Sequence, residues 1–266
     1  MKNDLLKRVR QAQPIVFNIA NRVTPQVVAN AIAYIGASPI MGEDIEEVPD
    51  LVKIAQAVTL NLGSTSQRVQ SVMLAAGKAA NAEGKPVIFD PVAAGATPLR
   101  RRRAQELVAQ VDVTIVRGNL GEIATLAGFD WQAHGIDAGS GQADPALIVK
   151  KAAQQLKTIV VATGPSDLIS DGQAIYRVDN SAPELATNVG MGDALDGLLG
   201  AFASQSKQVE EIAYAAASLP VAGELALADG IAGPADFLNK TFDHLANLTD
   251  AELSAKIKLS KVENEG

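Results

Sequence analysis

The chain has 266 residues, 47% of them hydrophobic and 20% charged, which supplies core material for one large α/β domain and excludes global disorder. A formal net charge of -7 and a pI of about 4.9 argue against a nucleic-acid surface, which needs clustered Lys and Arg. With no cysteine, disulfides, thiolate zinc sites and cysteine nucleophiles are excluded together, and a reducing compartment fits.

The N-terminal "MKNDLLKRVRQAQP" has no apolar stretch of signal-peptide length. Strands are expected at "PIVFNI" (14–19), "AVTLNL" (57–62), "PVIFDP" (86–91), "VTIVRG" (113–118) and "TIVVAT" (158–163). Their near-continuous apolar character suits parallel strands covered on both faces. Helical patterns fall between them at 25–36, 66–83, 99–110, 120–128 and 144–156. Alternating strand and helix implies an α/β fold with a mostly parallel sheet and right-handed crossovers. The basic run Arg100 to Arg103 reads as the solvated first turns of a helix. "DLISDG" and "AIYRVDN" suggest a hairpin at a sheet edge, and after Gly192 the pattern is helical almost to the end. The Ala-rich segment 212–228 comes nearest to a membrane span, but Pro220 and Glu224 interrupt it. No Pro/Gly/Ser-rich linker divides the chain, so residues 1–266 are expected to form one domain of a soluble, cytoplasmic protein, with a frayed charged tail from about 258.

Each expected strand ends in small, polar or glycine-bearing residues: Asn18 to Asn21, Asn61 to Thr65, Asp90-Pro91, Arg117-Gly118-Asn119 and Thr163-Gly164. Ordinary N-capping explains Asn, Ser and Thr there. It does not explain Asp90 or Arg117, charged residues that end buried strands, so a ligand cleft is expected beyond the carboxyl ends of the sheet. The only histidines, His134 and His244, fall in surface-like segments, leaving almost no material for a Ser/His/Asp triad or a histidine metal site. Walker and dinucleotide glycine motifs are absent, and aromatic residues are only 4% of the chain. Carboxylates, hydroxyls, backbone amides and a hard cation remain.

The stretch "TNVGMGDALDGLLGAF" (187–202) concentrates that chemistry. Leu195, Leu198, Leu199 and Phe202 repeat at helical spacing, and Gly190 with Gly192 leaves backbone N–H groups bare at the helix start, where an anion is favoured. Asp193 beside such an anion site is either an N-cap or a group that takes a proton from an attacking alcohol during phosphoryl transfer. Spacing leaves both open.

Gly190-Met191-Gly192-Asp193 resembles the anion-hole motif of the ribokinase-like superfamily, whose base is that aspartate. With "NRVTPQVVANAIAYIGASPIM" (21–41), "LNLGS" (60–64), "FDPVAAGATPLR" (89–100), "VRGNLGEI" (116–123) and "VVATGPSD" (160–167), the chain is similar, in order and spacing, to the hydroxyethylthiazole kinase family from about residue 10 to 240. The resemblance implies a ribokinase-like three-layer fold and ATP- and magnesium-dependent phosphorylation of the hydroxyl of 4-methyl-5-(2-hydroxyethyl)thiazole. It implies that Met41 and Gly190, with Asn21 beside them, line the thiazole pocket, and that Arg117 and Thr163 contact ATP phosphates. It further implies magnesium on Asp90 and Glu122, amides of Met191 and Gly192 on the transferring group, Asp193 as base, and a homotrimer with sites between subunits. Other alcohol kinases of the superfamily, acting on a hydroxymethylpyrimidine or a sugar, and a non-catalytic binding protein that kept the pocket, remain alternatives. Three positions depart from the family pattern: Asp193 stands where many members have Cys, Pro165 where Glu is common, and Asn188 where Lys is common.

Overall fold

A computed structural model describes residues 4–129 and 144–263. Helix α1 (Leu5–Ala12) leads into β1 (Ile15–Ile19), α2 (Pro25–Tyr34), β2 (Ser38–Met41) and α3 (Val48–Ile54). Strand β3 (Ala57–Asn61) is followed by α4 (Gln67–Ala82), β4 (Val87–Asp90), α5 (Pro98–Gln110) and β5 (Ile115–Asn119). Helices α6 (Leu120–Leu126) and α7 (Pro145–Leu156) precede β6 (Ile159–Thr163) and the hairpin β7 (Asp167–Ser170) and β8 (Ile175–Val178). A 3-10 turn (Pro183–Thr187) opens the helical remainder: α8 (Met191–Ala203), α9 (Val209–Ala216), α10 (Ser218–Ala228), α11 (Pro234–Asn247) and α12 (Asp250–Lys256), closed by β9 (Leu259–Lys261).

Helix starts obey local chemistry. Ser66 accepts from the amide of Val69, Thr97 accepts from that of Arg100 with Pro98 in the first turn, and Asn119 and Glu122 form a reciprocal capping box. The strands form one nine-stranded sheet in the order β2-β1-β3-β4-β5-β6-β7-β8-β9, parallel from β2 to β6 and antiparallel beyond. Alternate strand residues feed two cores. Val16, Ile88, Ile115 and Val161 join residues of α1, α2, α8 and α9, whereas Phe17, Val58, Phe89, Val116 and Val160 join residues of α3 to α7. Both faces are covered, which is why these strands read as apolar runs.

Several expectations change. Helix α1, edge strand β2 and α3 are additional elements; β2 contains Pro39, which a sheet accepts at an edge. The segment expected to fray from about 258 instead supplies β9, paired antiparallel with β8 from Tyr176↔Lys261 to Val178↔Leu259. The Arg100–Arg103 run is only partly solvated. Arg100 donates to the carbonyls of Leu62, Gly63 and Val92, and buried Arg103 donates to Thr65 Oγ1, so α5 ties down the turns after β3 and β4. Val209–Ala228 has the length and mean hydropathy (1.2) of a membrane span, yet 72% of that window is buried inside the protein. His134 and Trp131 lie outside the described residues. His244, on α11, pairs with Asp229 at 2.7 Å on the surface.

Helix α8 lies directly on β1, β3 and β4 and against α2. A Cβ at Gly200 would stand 2.9 Å from Thr59 Cγ2 and 3.1 Å from Val16 Cγ1, so the backbone itself makes that contact. Gly200→Val is therefore expected to cost about 1–3 kcal/mol, the usual range for overpacking, seen as a lower urea midpoint at unchanged slope.

Candidate active site

Strand β1 neighbours both β2 and β3, so the direction of sheet growth reverses between β1 and β3, the position at which open α/β sheets bind ligands. Asn21 follows β1, Asn61 ends β3, Asp90 ends β4 and Arg117 lies near the end of β5. The first turn of α8 is laid across these ends.

Gly190 occupies the N-cap position of α8 at φ 96, the left-handed region natural to glycine, and no side chain caps this end. A Cβ at Gly190 would also stand 2.6 Å from Thr24 Cγ2. The first helical bond runs from the Ala194 amide to the Gly190 carbonyl, leaving the amides of Met191, Gly192 and Asp193 without intrahelical acceptors. The N-cap reading of Asp193 is thereby removed: it sits inside the first turn and its carboxylate points away from the helix's own amides. Asp193 Oδ2 accepts from Thr24 Oγ1 at 2.5 Å and Asn21 Nδ2 at 2.7 Å, and Oδ1 accepts from Asn61 Nδ2 at 3.1 Å.

Arg117 lies beneath this turn. Its Nε and Nη2 donate to both oxygens of Asp196 at 2.7 Å, and Nη2 also donates to Asp90 Oδ2 at 2.6 Å, with Asp193 Oδ1 3.9 Å away. A Cβ at Gly192 would stand 2.7 Å from Nη1, so glycine there admits the guanidinium to the helix terminus. Burial works against the Arg117 charge, but Asp196 and Asp90 outweigh it and keep its pKa above the usual arginine value. Burial pushes Asp90 well above the ordinary carboxylate range despite Arg117, and Asp196 adds to that rise. Asp196 is raised too, again chiefly by burial, with Arg117 opposing. Three carboxylates thus face one guanidinium. Asp90, Asp193 and Asp196 each offer an oxygen within 4.8 Å of the others, a cluster able to coordinate a metal ion, and Asp90 Oδ1 is buried with no hydrogen-bond partner.

The other expected residues lie around this centre. Glu122 Oε1 accepts from the Ala93 amide at 2.7 Å and Oε2 from the Asn119 amide at 2.9 Å, fixing the turn after β4 to the start of α6. Thr163 ends β6 and belongs to the walls of two cavities. One, of about 520 Å³, runs past Gly164, Asp167, Ala182, Met191 and Gly192; the other, of about 490 Å³, past Leu120, Pro145 and Arg177. Met41 ends edge strand β2, partly exposed, opposite Asn18 in register. Neither Met41 nor Thr163 joins the hydrogen-bonded cluster around Asp193. The Asn188 side chain turns back to the Glu184 carbonyl and Thr187 Oγ1.

The hydroxyethylthiazole kinase family model matches residues 6–251. The chain belongs to the hydroxyethylthiazole kinase family. Hydroxyethylthiazole kinases of Lactiplantibacillus plantarum and Moorella thermoacetica are 43% and 42% identical to it, over 97% and 95% of this chain and 100% and 95% of theirs. The solved hydroxyethylthiazole kinase protein of Pyrococcus horikoshii OT3 is 32% identical, superimposes with a TM-score of 0.88 and spans 97% of this chain and 98% of that one. A ribokinase-like superfamily protein from Enterococcus faecalis V583 is 14% identical over 89% of this chain and 87% of its own, and its TM-score of 0.63 marks a shared ribokinase-like fold.

This hydroxyethylthiazole kinase family member builds its site with four residues that sequence reading did not single out. In the sequence Asn61 reads only as a strand end, Thr24 as a helix start, Asp196 as part of an amphipathic run, and Asp167 as the first residue of a hairpin strand, β7. Asp167 lines the larger cavity, accepts from the Gly164 amide at 3.0 Å and is buried. Burial pushes its pKa up to about 6, against the Gly164 bond and the more distant Arg117. The unfolded carboxyl titrates near ~3.9, so between about pH 4 and 6 the native state holds the extra proton and stability falls as pH rises, then levels off. Asp167→Asn is expected to raise the melting temperature at pH 8, by up to about 3 kcal/mol in stability, with the gain vanishing towards pH 4; thermal melts across that range check it.

Proposed function

We propose that this chain transfers the γ-phosphoryl group of ATP to the primary hydroxyl of 4-methyl-5-(2-hydroxyethyl)thiazole, in the cytoplasm and as a homotrimer whose sites lie between subunits. One observation carries the reading: Asp193 stands beside an uncapped, glycine-opened helix terminus with a buried arginine directly beneath it. In this reading the alcohol oxygen attacks the γ-phosphorus in line, the bond to the β–γ bridging oxygen breaks, and ADP leaves. The hydroxyl proton passes to Asp193. In a loose transition state the alcohol becomes acidic late, so the placement of the carboxylate matters more than its basicity. Charge on the transferring group meets the amides of Met191, Gly192 and Asp193 and Nη1 of Arg117, donors already oriented before the reaction.

Met41, Gly190 and Asn21 are assigned to the thiazole side and Thr163 to the nucleotide side, with the cavity between Thr163 and Gly192 as room for the phosphates. Magnesium fits Asp90, whose buried Oδ1 lacks a partner, and Glu122 through a lone pair left by its amide bonds, directly or through water. Bound there, the cation would supply positive charge to the ATP phosphates. The trimer accords with Met41 on an open edge strand and with exposed Val23 and Val189 flanking the Thr24–Gly190 contact.

The test is ADP release from the purified chain with the thiazole alcohol, with and without magnesium, beside a hydroxymethylpyrimidine and a sugar. Turnover of the thiazole alcohol that requires magnesium is expected. Asp193→Asn should lower kcat by about 10²–10⁴ while circular dichroism stays unchanged. Turnover of only another alcohol would overturn the substrate assignment, and an unchanged kcat the role of Asp193.

A further inference from the structure

We infer that Thr24 is a positioning residue for the proposed phosphoryl transfer, its hydroxyl holding Asp193 so that Oδ1, not Oδ2, receives the proton of the acceptor alcohol. The inference rests on the kinase reading above. Thr24 stands at the N-cap position of α2, where a threonine hydroxyl ordinarily accepts from an amide of the first turn and contributes about 1 kcal/mol. Here it makes no such bond. It donates instead across the structure to Asp193 Oδ2, at 2.5 Å the shortest of the three bonds to that carboxylate.

The surroundings leave the hydroxyl little choice. Thr24 is 2% exposed, and its methyl group lies against Gly190. Asn21 Oδ1 accepts from the amides of Val23 and Thr24 at 2.8 and 3.2 Å, which fixes the Asn21 amide so that Nδ2 reaches the same Oδ2. Carboxylate oxygens accept, and the Thr24 hydroxyl donates to Asp193. Oδ2 therefore carries two donors. Oδ1 carries one, at 3.1 Å, and is the oxygen on the Arg117 side, where the phosphoryl group is placed. The less engaged oxygen faces the reaction, and the more engaged one is the anchor.

Two substitutions divide shape from hydrogen bond. Thr24→Val keeps the branched shape and removes the hydroxyl; Thr24→Ser keeps the hydroxyl and removes the methyl. Losing the anchor is expected to lower kcat on the order of tenfold to a hundredfold, the scale of a misplaced catalytic group, with both KM values within about twofold. Thr24→Ser should recover most of the wild-type kcat, and Thr24→Val added to Asp193→Ala should cause no further loss. The assignment is overturned if Thr24→Val keeps wild-type kcat, if Thr24→Ser is as impaired as Thr24→Val, or if the loss persists without Asp193. A raised KM for the alcohol at unchanged kcat would make Thr24 a substrate contact instead. Wild-type chain that turns over no alcohol would remove the kinase reading and this role together, whereas wild-type turnover with an indifferent Thr24→Val removes the role alone.

Discussion

Arg117 is 6% exposed, and the rest of the site is arranged around keeping that charge inside. Moving an ion out of water costs on the order of several kcal/mol even after relaxation, so a buried guanidinium persists only where opposite charge and good hydrogen bonds meet it. Asp196 supplies a two-pronged contact and Asp90 a third bond. Stability alone does not require this, since a well-packed apolar trio of similar volume would serve as well or better. The arrangement makes sense as a donor held ready: with Nε and Nη2 committed to carboxylates, Nη1 is left at the glycine-lined start of α8.

That constraint runs outward into the fold. For Arg117 and Asp90 to meet, β4 and β5 must be neighbours in a register that brings these two residues level, which the parallel pairing of Phe89 with Val116 provides. For Asp193 and Asp196 to reach the same cluster they must lie on one face of α8, which their spacing of one helical turn ensures. For α8 to bring them down to the strand ends it must approach the sheet closely. Gly200 against Thr59 and Val16, and Gly192 over Arg117, are where side chains have been given up for that approach. The helix's apolar face and its charged first turn are parts of one fit.

Much of this was legible in the sequence, and the limits have physical causes. The five apolar runs became strands β1, β3, β4, β5 and β6 because burial on both faces leaves a composition that few other structures share. Asp90 and Arg117 stood out because a charge at the end of a buried strand has no ordinary structural use. Edge strand β2 did not, since Pro39 reads as a breaker unless it is known to face an open edge. Strand β9 depends on a partner, β8, some eighty positions earlier in the chain, and no local pattern in "KLSKVENEG" announces it. Arg100 and Arg103 looked like a solvated run because sequence does not show that the carbonyls of Leu62, Gly63 and Val92 lie within reach. Asp196 was masked by its apolar neighbours, and Thr24 by being a residue type that helix starts favour anyway.

The same contrast separates what local chemistry decides from what the tertiary fold decides at Asp193. Aspartate in a first turn is favoured by the helix dipole wherever it occurs, so its presence there says little. Its use is decided by where its oxygens go. In a cap they would fold back onto the helix's own amides, and the terminus would be neutralised. Here Gly190 takes the cap position with no side chain to offer, the carboxylate turns to Thr24, Asn21 and Asn61 from two other strand ends, and the amides stay open. Glycine at the cap position leaves the terminus less stable by roughly a few tenths of a kcal/mol than a side-chain cap would. Leaving those amides open at a helix start that overlies a buried arginine is intelligible if they await negative charge that arrives with a ligand.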